Sequence, residues 1–146
     1  MTVKGSLHIE LRDIQGVLWA VTGVFHDCYL RTVDIHYCED EHWFRMVVWV
    51  PTSVSRKKRI WRGLLSRTEH AKVPCELRLN GVEAMAMPHT EWRVLMFDDM
   101  TYDDAARTIR IRMTPDGIIR LQVTTLSGWL RDISDPTWDG PHDIVD

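Results

Sequence analysis

The chain has 146 residues, 45% of them hydrophobic and 27% charged, which fits a single soluble domain able to bury its core without staples. Its formal net charge of −3 argues against a general nucleic-acid binder, while leaving room for local patches. Three cysteines without a close CxxC pair, and no signal-like apolar segment, predict a reducing cytoplasm, and the apolar runs are too short and interrupted to cross a bilayer.

Leu7, Ile9 and Leu11 alternate with His8, Glu10 and Arg12, which reads as a short strand. From Asp13 the period changes. Ile14, Val17, Leu18, Val21 and Val24 recur at helical spacing with Asp13 as a cap, whereas Gly16, Gly23 and the β-branched residues leave a strand through 17–21 as the alternative. His26-Asp27-Cys28 then places a base, an acid and a nucleophile in a row. Neighbours on a strand face opposite ways, so a catalytic role for His26, Asp27 and Cys28 requires the fold to bring them together.

Residues 29–37 and 43–50 read as antiparallel neighbours joined by the acidic turn Cys38-Glu39-Asp40-Glu41. Both alternating sets of the second strand are apolar, Trp43, Val47 and Trp49 against Phe44, Met46, Val48 and Val50, which predicts a central strand covered on both faces. His36, Cys38 and His42 supply donors suited to a transition metal if the turn returns His42 toward the other two. The competing reading is a packed cysteine and an ordinary polar turn.

Pro51 is expected to end that strand. The next segment, 53–67, carries Arg56, Lys57, Lys58, Arg59, Arg62 and Arg67. As a helix it would put Trp61, Leu64 and Leu65 on one side, with Ser53 or Ser55 as cap and Gly63 as a defect; a solvated face over a sheet and a mobile loop are the alternatives. Such a basic, Trp-bearing segment suits an acidic protein surface, and less readily nucleic acid or lipid.

Asn80-Gly81 predicts a two-residue hairpin turn pairing Leu79 with Val82 and Leu77 with Ala84, and Pro88 stops its second arm. Residues 92–97 form a further strand, and Asp98, Asp99, Asp103 and Asp104 an acidic connection. Those aspartates lack EF-hand spacing and a phosphate-binding glycine loop, which weakens a Mg²⁺ or Ca²⁺ reading.

Residues 107–124 specify a hairpin most fully. A type I turn with a bulge at Pro115-Asp116-Gly117 would pair Thr114 with Ile118, Met113 with Ile119, Ile111 with Leu121 and Ile109 with Val123. One face is then apolar, and the other sets Arg112 against Arg120 and Arg110 against Gln122. That arginine-rich face is a docking surface unless the chain's own carboxylates cover it. Residues 128–133 predict a last strand, and 135–146 an acidic tail that is ordered only if Trp138 docks.

These elements predict one mainly β domain over 1–134, with α+β as a variant: an antiparallel two-layer sandwich, or a strongly bent sheet with one or two helices. No Walker motif, Rossmann fingerprint, HExxH or nucleophile elbow is present, so no cofactor is expected. Phe25-His26-Asp27 leading into Leu30 and Val33, the apolar strand, Leu77-x-Leu79-x-Gly81-Val82 and the late hairpin together resemble small bacterial β-rich domains, some of them immunity proteins of polymorphic toxin systems. The resemblance implies a non-enzymatic protein that neutralises a partner by occlusion, and carries over no functional residues.

The expected function is therefore protein binding through Arg56, Lys57, Lys58, Arg59, Trp61 and Arg62, with Arg110, Arg112 and Arg120 as a second surface. The competing classes are a hydrolase-like or metal-dependent enzyme using His26/Cys28 or His36/His42, and a homo-oligomer, such as a dimer, buried through a Val/Trp-rich sheet face.

Overall fold

The computed structural model describes residues 7–60, 63 and 65–143. A short strand, β1 (His8–Leu11), leads to Asp13, whose side chain caps α1 (Ile14–Phe25) by accepting from the Gly16 N–H at 2.7 Å. The helical alternative for this segment is the one observed. Val17, Ala20, Val21 and Phe25 recur every three or four residues and turn into the core, while Trp19 is 81% exposed on the opposite side.

The remaining strands are β2 (Tyr29–Arg31), β3 (His36–Cys38), β4 (Trp43–Ile60), β5 (Leu65–Ala86), β6 (Val94–Asp103), β7 (Thr108–Thr114) and β8 (Gly117–Asp132). Their order is β1-β8-β5-β4-β2-β6-β7, every pairing is antiparallel, and β7 also pairs with β8. The sheet therefore bends round and closes on itself, removing most free edges. A mainly β fold with one α-helix results, in the strongly bent form rather than the sandwich. Phe25 meets Phe97 edge-on at 5.9 Å, tying α1 to β6 inside a single apolar cluster.

As expected, the 29–37 region pairs antiparallel with 43–50, although a 3₁₀ turn at Thr32–Asp34 splits it into β2, opposite Val48 and Trp49, and β3, opposite 43–45. Phe44, Met46, Val47, Val48 and Trp49 are all buried, so this part of β4 is central and covered on both faces.

Several expectations are corrected. The described residues of 53–67 are not helical: residues 55–60 pair with 65–70 as the outer end of the β4–β5 ladder. Pro51 does not end the strand: it lies in register opposite Lys72, whose backbone N–H and C=O are both bonded to Thr137, so this pair asks no hydrogen bond of the proline nitrogen. A register shift follows before Ser55, and Thr52 Oγ1 donates to the Ala71 carbonyl at 2.8 Å. Trp61, Arg62 and Leu64 lie outside the described residues.

Asn80-Gly81 is not a hairpin turn. β5 runs through it with register shifts against β8, and the N–H groups of Gly81 and Val82 both donate to the His42 carbonyl, at 2.9 and 3.0 Å. Gly81 has φ +82°, and a Cβ there would lie 2.0 Å from the Thr125 carbonyl oxygen. The glycine serves a close crossing of backbones.

The 107–124 hairpin forms, with its register displaced by two residues: Ile111 faces Ile119, Ile109 faces Leu121 and Met113 faces Gly117. Gly117 pairs within the strand and does not take the left-handed conformation that the bulged turn requires. An even displacement preserves the faces, so Ile109, Ile111, Met113, Ile119, Leu121 and Val123 are all buried. Asp98, Asp99 and Asp103 belong to β6 rather than to a connection, leaving Asp104 in the turn, and the expected strand at 128–133 is the end of the long β8.

The segment after β8 docks. Ile133 N–H donates to the Pro74 carbonyl at 3.0 Å, and Thr137 and Lys72 exchange backbone hydrogen bonds of 2.8 Å. Trp138 lies beneath Arg56, and His142 packs edge-on against Tyr29 at 4.9 Å.

Candidate functional site

Outside the closed part of the sheet, the ends of β4 and β5 form an exposed two-stranded arm. At ~3.4 Å per residue it reaches roughly 20 Å. Strand alternation places Arg56, Lys58 and Ile60 on one face with their partners Glu69, Arg67 and Leu65, and Ser55, Lys57 and Arg59 on the other with His70, Thr68 and Ser66. Cations thus occupy both faces, and Lys58 stands directly opposite Arg67. Glu69 is the one carboxylate in these paired residues, and it is taken by Arg56. The hydrogen bond from Arg56 holds the Glu69 carboxyl below its ordinary range, against the smaller upward effect of burial.

A cavity of about 450 Å³ separates the first face of the arm from the docked C-terminal segment. Arg56, Lys58, Arg67 and Lys72 line it together with Trp138, Asp139 and Asp143. The Arg56 guanidinium carbon lies 4.1 Å from the Trp138 ring centre, which joins the base of the arm to that segment. The site therefore offers concentrated positive charge, an aromatic wall and three carboxylates, Glu69, Asp139 and Asp143, the first of them held by Arg56.

On the late hairpin, the three arginines have different fates. Arg112 donates to Asp98 at 3.1 Å and to Asp99 at 2.7 Å, because the register shift between Phe97 and Asp99 brings two successive carboxylates toward it. Arg110 and Arg120 are direct cross-strand partners, both exposed, with no ion pair to a described residue. The arginine-rich face is covered at Arg112 and open at the other two.

The His26-Asp27-Cys28 run does not converge. His26 Nδ1 lies 3.1 Å from Asp27 Oδ1 at the surface, while Cys28 is buried with its thiol directed to the Val24 and His26 carbonyls. Burial, then the Asp27 charge, pushes the Cys28 thiol up to about 11, away from thiolate chemistry at neutral pH. Cys75 is likewise pushed up, by burial and by its hydrogen bond to Asp132 at 3.2 Å.

His36 pairs with Arg45, and Cys38 with Trp43, along the β3–β4 ladder, whereas His42 turns to Glu83 at 3.7 Å. Among the described residues no three His, Cys, Asp or Glu side chains are grouped to hold a metal ion. No described helix is long and apolar enough to cross a membrane.

One arrangement escaped the sequence reading. On the outer face of β4, β5 and β8, the buried Glu76 carboxylate accepts from Arg45, from Trp129 Nε1 at 2.6 Å and from Arg131 Nε at 3.1 Å. Arg78 lies over Trp43 and Trp129, with ring centres 4.4 and 5.4 Å away. Burial pushes Glu76 up, but the hydrogen bonds from Arg45 and Trp129 and the charges of Arg45 and Arg131 prevail and leave it below its ordinary value. These residues satisfy one another and make this face a structural lattice. Only their alternation along three separate strands pointed to it, and the wrong turn at Asn80-Gly81 hid how β5 and β8 align. Comparison with known proteins found no matching family model, no matching curated protein and no matching solved structure.

Proposed function

We propose that this protein is a non-enzymatic binding domain whose β4–β5 arm docks on an acidic surface of a protein partner and occludes it. The observation that carries this reading is the arm itself. A two-stranded ribbon exposed on both faces gains little from burial, and such a ribbon is marginal alone, so its extension from a well-packed sheet favours an external role. Its cations outnumber its carboxylates, although the whole chain is slightly acidic. That polarity suits steering toward an oppositely charged partner.

Asp139 and Asp143 at the neighbouring cavity favour a protein over nucleic acid, because they oppose a continuous phosphate backbone while suiting a surface of mixed charge. Trp138 supplies an aromatic wall of the kind that anchors interfaces. The occlusion reading agrees with the resemblance to toxin-immunity domains.

A photo-cross-linking residue at Ser66, exposed and uncharged on the arm, tests the proposal in the native host. One discrete protein adduct, lost when Lys57 and Lys58 are reversed to Glu, is the expected result. Adducts with nucleic acid, or a protein pattern insensitive to that reversal, would sink it.

A further inference from the structure

A second site lies away from the arm, on β7 and β8. Arg110 and Arg120 face one another across the ladder, and Thr101 on β6 is the partner of Arg110 on its other side. Cross-strand partners have Cα atoms about 4.5–5.5 Å apart, so two guanidinium groups leave the same patch of sheet side by side. Like charges in this position are mutually unfavourable unless an anion lies between them.

Among the described residues no carboxylate forms an ion pair with Arg110 or Arg120. Asp98 and Asp99 are both engaged by Arg112. Asp103 is the one carboxylate lining the cavity at Arg110 and Arg120, and its Oδ1 caps the adjoining turn by accepting from Ala105 N–H at 3.1 Å and Ala106 N–H at 3.3 Å. The cavity holds about 350 Å³, and Thr101, Tyr102, Ala106 and Thr108 complete its lining. Beneath it Ile109, Ile111, Ile119 and Leu121 are buried, so the two arginines stand on a fixed platform.

From this arrangement we propose that Arg110 and Arg120 form a clamp for the phosphate group of a phosphate monoester. Two cations match a group carrying close to two negative charges, and two guanidinium forks can engage the three terminal oxygens that a phosphate monoester presents. A single carboxylate can bridge two guanidinium groups, as Glu76 does for Arg45 and Arg131, but its one negative charge leaves a net positive charge that a phosphate monoester would offset. The volume exceeds that of a phosphate alone, leaving room for part of the ester's organic group. The bearer is either a small phosphorylated molecule or a phosphorylated side chain of a protein. The site is separate from the arm and stands or falls independently of the arm's role.

The test titrates the full chain with inorganic phosphate, phenyl phosphate and a phosphoserine peptide, following the Arg side-chain N–H resonances. Phosphate and phenyl phosphate are expected to shift the Arg110 and Arg120 signals saturably, and Arg110→Gln or Arg120→Gln to weaken binding about tenfold or more. Lys57→Gln, on the arm, leaves it unchanged. Tighter binding of the phosphoserine peptide than of phenyl phosphate assigns a protein ligand, and the reverse a small molecule. Retained dispersion of the amide spectrum in Arg120→Gln shows that the fold persists. No saturable shift, or equal weakening by Lys57→Gln, overturns the clamp.

Discussion

Arg56 covers the ring of Trp138 with its guanidinium carbon 4.1 Å from the ring centre, and the same side chain holds Glu69 across the arm. One residue thus braces the base of the arm against the C-terminal segment. Trp138→Ala is expected to speed amide exchange of residues 134–143 while costing only about 1–2 kcal/mol of global stability, from lost ring burial and the cation–π contact. Hydrogen exchange with mass spectrometry reads the local effect and urea unfolding the global one. Unchanged exchange in that segment would show that Trp138 does not hold it.

Glu76 is stabilised in its charged form. Its folded pKa lies below the ordinary value of roughly 4.3, so its contribution is complete above that pH and is lost as pH falls through the depressed folded value. Glu76→Gln leaves Arg45 and Arg131 without their shared carboxylate and is expected to cost about 1–3 kcal/mol at pH 7. The difference from wild type should shrink toward pH 3. Urea unfolding at pH 7, 5 and 3 checks this, and a gap that stays constant would contradict it.

Much of this architecture was legible because half-buried strands repeat every two residues. The six apolar residues of the 107–124 hairpin were assigned to the correct face, and Asp13 to the cap of α1. Register was not legible to the same degree, since pairing by two residues either way keeps the same faces inward and only the turn decides between them. The arm was missed for the opposite reason. Both of its faces meet solvent, so residues 55–60 carry no alternation to mark them as a strand. In the candidate site, the basic residues of 56–59 could be named, but Trp138, Asp139 and Lys72 join them only through the course of the C-terminal segment.

Gly81 lies at a close crossing of backbones rather than in a hairpin turn. Gly81→Ala places a Cβ 2.0 Å from the Thr125 carbonyl oxygen at φ +82°, where an exposed hairpin turn would have met open space. A loss of about 3 kcal/mol or more is expected from the clash and the strained backbone together. A cost below about 1 kcal/mol would favour the turn.

Cysteine reactivity separates binding from thiol catalysis. Cys28 and Cys75 are buried and Cys38 is half-exposed, so iodoacetamide at pH 8 should label Cys38 first and the other two only after unfolding. Peptide mapping reads the order. Rapid labelling of Cys28 in the folded protein would revive the hydrolase-like alternative.

The most direct test of the arm's role is the affinity of the protein partner captured at Ser66 for wild type and for the triple variant Lys57→Glu, Lys58→Glu, Arg59→Glu. All three positions are exposed, so the melting temperature should stay close to that of wild type. The account predicts a loss of affinity of about 100-fold or more, much of it through slower association at low salt. Equal affinity of the two proteins, with melting unchanged, would contradict it.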